Sequence, residues 1–168
     1  MLKGMAKSTQ GTASDLYQTD CVRYLAGHEA ALIRDAYGPN GLTRPRLPAE
    51  EYISKCLQSA GELITACDQL KYALVYLSGY RQRRTPEGIL RTRVDYIIYQ
   101  IENFMMRTGT VIDRSLKLVN IAFELGIQPK DCRRSVIAEN AHVASTPVRK
   151  WLDALEKALE GLIVKHAI

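Results

Sequence analysis

"YQIENFMMRTGTVIDRSLKLVN", residues Tyr99–Asn120, decides the fold. Its apolar residues recur at spacings of three and four, the helical period, and nowhere does it alternate as a strand would. Followed outward, the pattern predicts a helix from Pro86 to Leu125. Thr85 suits the N-cap and Pro86 the first helical position. Beyond the end come Gly126 for the left-handed C′ position, the apolar Ile127, and Pro129, which prevents resumption. A helix of about 40 residues spans roughly 58 Å, more than a compact bundle of this size needs, so it must either kink, near Gly109, or protrude and dimerise.

On a helical wheel this segment separates into three strips. Val94, Ile97, Ile98, Ile101, Phe104, Met105, Val111, Ile112, Leu116, Val119, Ala122 and Phe123 share one broad face, the expected core. Tyr96, Asn103, Arg107, Thr110 and Arg114 line up opposite, and Asp95, Glu102, Asp113 and Asn120 form an acidic strip beside them. Three accounts fit the polar line. It is solvated, with local pairs such as Asp113 with Lys117, each worth a few tenths of a kcal/mol. It belongs to an interface, since Tyr99, Met106 and Ile121 fall in the same half-turn and aromatic, Met and Arg residues are enriched where proteins meet. Or it is an anion site, with Arg107 and Arg114 about two turns apart among hydroxyl and amide groups able to hold a phosphate backbone.

The flanking segments are helical too. Ser14 is a plausible N-cap for a first helix to about Tyr37, stopped by "GPNG" at Gly38–Gly41. Cys21, Leu25, Leu32 and Ala36 are its apolar line, and His28 falls on it. A second helix opens at Pro48, with Glu50 and Glu51 in its first turn, and reaches Tyr80. Ile53, Cys56, Ala60, Leu63, Cys67, Leu70, Leu74 and Leu77 give it a coiled-coil-like seam. After Pro129 comes a weakly periodic link with room for one short helix. Thr146 and Pro147 then repeat the cap-plus-proline signal before an amphipathic fourth helix carrying Trp151, Leu152, Leu155 and Leu159. No segment alternates with period two, so no sheet is expected. The expected fold is all-α, an up-and-down bundle of four principal helices with one very long third helix. Residues 1–13 read as a flexible N-terminal arm and 14–168 as a single helical-bundle domain.

The 168 residues, 46% apolar and 24% charged, suffice for one core. Lys and Arg number 23 against 18 Asp and Glu, a net charge of +5 that favours anionic partners. The cations cluster at Arg81, Arg83 and Arg84, at Arg91 and Arg93, at Arg133 and Arg134, and at Arg149 and Lys150. Cys21, Cys56, Cys67 and Cys132 form no C-x-x-C pair and have no histidine at ligand spacing, so no metal site is expected. Gly-rich phosphate loops, G-x-S-x-G elbows and H-E-x-x-H helices are missing, and no cofactor is implied. Without an apolar run of membrane-spanning length or a signal-peptide pattern at the start, the chain reads as cytoplasmic and reduced.

His28 follows Arg23 by five residues in "RYLAGH". A histidine near neutrality can move a proton from a ribose 2′-hydroxyl while an arginine holds the phosphate, which is the equipment of a metal-independent endoribonuclease. Five residues, however, set the two side chains roughly 140° apart on a helix, and His28 on the apolar line equally suits a structural role. His142 and His166 are read as exposed.

The stretch "DYIIYQIENFMMRTGTVIDRSLKLVN", the Gly-Ile-Pro stop and the following "CRRSVIAENAHVASTPVRKWLDALEKAL" resemble bacterial all-α proteins of the HEPN superfamily. The resemblance implies an up-and-down bundle, a homodimer, and RNA cleavage or RNA binding in toxin, defence or stress systems, with a cognate antitoxin-type protein as a further partner. Members that cut RNA carry R-x4-6-H in the last bundle helix. Here that helix has Arg149 at its start and Lys165 and His166 at its end, without the motif; its literal match is Arg23 and His28 in the first helix. The expected function is therefore RNA or protein binding by a HEPN-like dimer, with a metal-free ribonuclease and a purely structural interaction module as alternatives.

Overall fold

A computed structural model describes residues 19–38, 41–42, 45, 47–78 and 92–167. Among these residues there are six α-helices: α1 (Asp20–Ala36), α2 (Pro48–Ser78), α3 (Arg93–Ala122), α4 (Arg134–Glu139), α5 (Ala141–Ala144) and α6 (Val148–Ala167). A 3-10 turn spans Pro129–Asp131. A two-residue antiparallel ladder, Tyr37 opposite Leu42 and Gly38 opposite Gly41, is the only extended pairing among the described residues. The protein is all-α. Residues 1–65 and 66–168 form two compact units, and α2 runs through the boundary.

In the first unit α2 begins at Pro48 as its sequence predicts. The Leu47 N–H donates to Glu50 Oε2 at 2.8 Å, so the carboxylate in the first turn folds back on the residue before the helix. Ser54 donates to Glu29 at 2.9 Å, joining α2 to α1. The expected N-cap Ser14 and the arm of residues 1–13 lie outside the described residues; the described part of α1 starts at Asp20. His28 does not lie in a core: it is exposed, and its ring meets Tyr24 one turn earlier, edge to face at 4.5 Å.

In the second unit the last part of α2 runs antiparallel to α3. Tyr96 Oη donates to the Tyr76 carbonyl at 2.7 Å, and Arg107 Nη1 donates to Gln69 Oε1. The third helix is 30 residues long, one fewer than α2, and starts at Arg93 rather than Pro86. Thr92 is extended (φ −68°, ψ 158°) and carries a reciprocal capping box with Asp95, which fixes the start. The Thr85–Pro86 signal lies outside the described residues.

The buried line of α3 is also not the apolar face of the wheel. Gln100, Phe104, Thr108, Val111 and Ser115 are buried, whereas Val94, Ile98 and Met105 are at least half exposed. Hydroxyls can go inside because each bonds the carbonyl four residues back, Thr108 to Phe104 at 3.0 Å and Ser115 to Val111 at 2.8 Å. On α2 the buried residues of this unit are Ala66, Leu70 and Ala73, so small side chains line both helices. In that half the expected seam is turned: Ala66 and Ala73 are buried, while Cys67 and Leu74 are only half-buried.

The C-terminal half of α3 regains ordinary patterning. Leu116, Ile137, Val143 and Leu152 form a core, with Ile112, Val119, Phe123, Leu125, Ile127, Cys132 and Val148 packed around it. The link after Pro129 holds α4 and α5 where a single short helix was expected, and each contributes one buried residue, Ile137 and Val143. Arg134 of α4 pairs with Asp153 and, at 2.9 Å, with Glu156, both on α6. Thr146 Oγ1 accepts from the Val148 N–H at 3.3 Å, the cap expected for the last helix.

The end of α3 differs from its sequence reading. The Glu124 N–H donates to the Ile121 carbonyl and the Leu125 N–H to that of Asn120, both at 3.0 Å, a Schellman closure with Glu124 at C′ (φ +48°). Gly126 is left-handed too (φ +68°), but two residues later. A side chain at the left-handed C′ position is strained, so Glu124→Gly is expected to raise stability by about 1 kcal/mol, read as a higher urea midpoint at constant m.

Candidate functional site

The five residues of the expected polar line divide into two groups. Tyr96, Asn103 and Arg107 hold α3 to its surroundings: Tyr96 bonds α2, and Arg107 reaches both Gln69 of α2 and, at 3.4 Å, the Asn103 amide oxygen. Arg107 is thus engaged with neighbouring side chains. Thr110 and Arg114 line an open cleft of about 650 Å³, whose wall is completed by residues from beyond the end of α3.

Chain reversal builds this cleft. The closure at Glu124 turns the backbone, and Asn120 then clamps the returning strand of chain: its amide donates to the Ile127 carbonyl at 2.8 Å and accepts from the Ile127 N–H at 3.1 Å. Pro129 starts the 3-10 turn, and Lys130, Cys132 and Arg133 come to lie beside Thr110, Asp113, Arg114, Lys117, Asn120 and Ile121. The lining holds four cations, Arg114, Lys117, Lys130 and Arg133, against one carboxylate, Asp113. The Thr110 hydroxyl donates to the Met106 carbonyl at 2.9 Å and Asn120 is held by Ile127, so the four cations carry the cleft's chemistry, which suits phosphate oxygens.

The Arg133–Arg134 cluster therefore splits: Arg133 faces the cleft, while Arg134 is committed to Asp153 and Glu156. The acidic strip splits as well, Asp113 and Asn120 in the cleft and Asp95 in the cap of α3. Of the four cleft cations the expected line held only Arg114; Lys117, Lys130 and Arg133 lie off it, and Lys130 is in none of the cationic clusters read from the sequence. Its signal in the sequence is the helix stop followed at once by "PKDCRR", which returns cations toward the helix just ended.

Cys132 lies on the cleft wall, half-buried. Burial, and secondarily the charge of Asp113, push its thiol pKa above the ordinary value. The folded state then holds this proton to higher pH than the unfolded chain, so the group lowers stability only as pH rises through the alkaline thiol range. At neutral pH, alkylation followed by mass spectrometry is expected to label exposed Cys21 well before Cys132.

Arg23 and His28, the expected acid–base pair, sit on α1, both exposed, and no hydrogen bond joins them. His142 is exposed in α5, whose cap is the Asn140 side chain accepting from the His142 N–H at 3.0 Å. Among the described residues no helix is long and apolar enough to cross a membrane. No family model, curated protein or solved structure matches the chain.

Proposed function

We propose that this protein is an RNA-binding module, a HEPN-like up-and-down helical bundle that acts as a dimer and holds the RNA sugar-phosphate backbone in the cleft between α3 and the Pro129–Arg133 segment. The observation that carries the reading is the convergence of Arg114, Lys117, Lys130 and Arg133 around a single carboxylate. Cations on two separate stretches of chain can grip successive phosphates without reading bases, which suits affinity more than sequence selectivity. The net charge of +5 adds long-range attraction to the same kind of partner.

The test is retention of mixed cellular RNA in a gel shift, with light scattering on the same samples to record oligomeric state. Arg114→Ala is expected to weaken retention and Arg107→Ala to leave it nearly unchanged, because Arg114 lines the cleft whereas Arg107 lies outside it, bonded to Gln69 and Asn103. Retention that ignores Arg114→Ala, or a strictly monomeric protein that still binds, contradicts the corresponding part of the reading. Cleavage by Arg23 and His28 remains a separate proposal, read out as RNA hydrolysis in EDTA that disappears in His28→Ala.

A further inference from the structure

The outward face of the α2–α3 pair carries an aromatic surface that neither the cores nor the cleft uses. Tyr72 and Tyr76 on α2 and Tyr99 on α3 are 59%, 55% and 55% exposed, and Met106 is 67% exposed. The Tyr96–Tyr76 and Arg107–Gln69 hydrogen bonds set these parts of the two helices side by side. On the helical wheel Tyr99 and Met106 lie within about 40° of Thr110 and Lys117, so they share one strip of α3 with residues of the cationic cleft.

We propose that this face and the cleft form one track for single-stranded RNA, the cleft cations taking phosphates and the tyrosines stacking unpaired bases. The inference rests on the RNA reading of the cleft and adds the substrate class. Two arguments favour a single strand as the occupant. Phosphate-binding cations next to exposed aromatic rings are the combination by which single strands are held, whereas in a duplex the base faces are stacked and closed to tyrosine. From Tyr99 to Lys117 the helix covers about 27 Å, room for on the order of four nucleotides, the lower end of known single-strand sites.

The experiment is fluorescence anisotropy with the full chain, titrated into a labelled twelve-nucleotide single strand and into a duplex of the same length. Wild type is expected to prefer the single strand by about tenfold or more. Tyr99→Ala and Tyr72→Ala are each expected to weaken single-strand binding by about tenfold and to leave duplex binding unchanged, with Tyr99→Phe retaining the ring and the affinity. Both tyrosines are exposed, so the helical circular dichroism should persist and show that the variants are folded. Equal affinity for the two RNAs, or no loss in the alanine variants, overturns this inference while leaving the cleft reading standing. No binding to either RNA overturns both. A change in sedimenting mass in the tyrosine variants, with RNA affinity intact, assigns the face to a protein contact and overturns the track.

Discussion

Ile137→Ala is expected to lower the free energy of unfolding by about 3 kcal/mol, seen as a large fall in the urea midpoint, and to loosen the cleft at the same time. Ile137 is fully buried and is the single buried residue of α4. A six-residue helix has no stability of its own, so α4 exists because this side chain docks against Leu116, Val143 and Leu152. Truncation loses the transfer free energy of the side chain and leaves a cavity that a close-packed site fills poorly. Arg133 immediately precedes α4, so loss of that docking frees one wall of the cleft. Ile137→Val, which removes one methyl group, is expected to cost about 1 kcal/mol and to spare RNA binding. Equal, small effects from both variants would show that α4 is not anchored in this way.

The other large effect is electrostatic. Lys130→Glu combined with Arg133→Glu changes the cleft from four cations and one carboxylate to two cations and three carboxylates, reversing its sign. RNA affinity is expected to fall by at least about 100-fold at near-physiological salt, since each lost phosphate contact removes counterion release and each new carboxylate repels the backbone. Lys130 and Arg133 are exposed, so the thermal midpoint should move little. Arg134→Glu is the contrasting variant. It puts three carboxylates together where Arg134 now meets Asp153 and Glu156, so its effect should appear in stability before binding.

Much of the helical framework was legible in the residues. Pro48 with Glu50 marks the start of α2, and Thr146 with Pro147 marks that of α6, because caps and first-turn residues act locally. The start of α3 was misread because Thr85 and Pro86 offered a signal of the same kind as Thr92 with Asp95, and local rules do not rank two caps seven residues apart. The inner face of α3 was misread for a different reason. Hydropathy counts Thr108 and Ser115 as polar, yet each satisfies its hydroxyl within its own helix and is small, so burial costs little.

Only the α3 side of the cleft follows from helical spacing. Thr110 and Arg114 could be placed from helical spacing, but Lys130 and Arg133 depend on a chain reversal at Glu124, a residue that does not advertise a left-handed conformation as glycine does. The clamp of Asn120 on Ile127 is likewise invisible to a wheel, which places Asn120 beside acidic residues without showing what it bonds.

The central claim, that the cleft holds RNA by its phosphates, is tested most directly by the salt dependence of RNA affinity in wild type and in Lys130→Ala with Arg133→Ala. Four phosphate contacts to a single strand predict a slope of log K against log salt of about −3, and loss of two cations should bring it to about −1.5. A wild-type slope near zero, or one that the double variant leaves unchanged, would contradict the account.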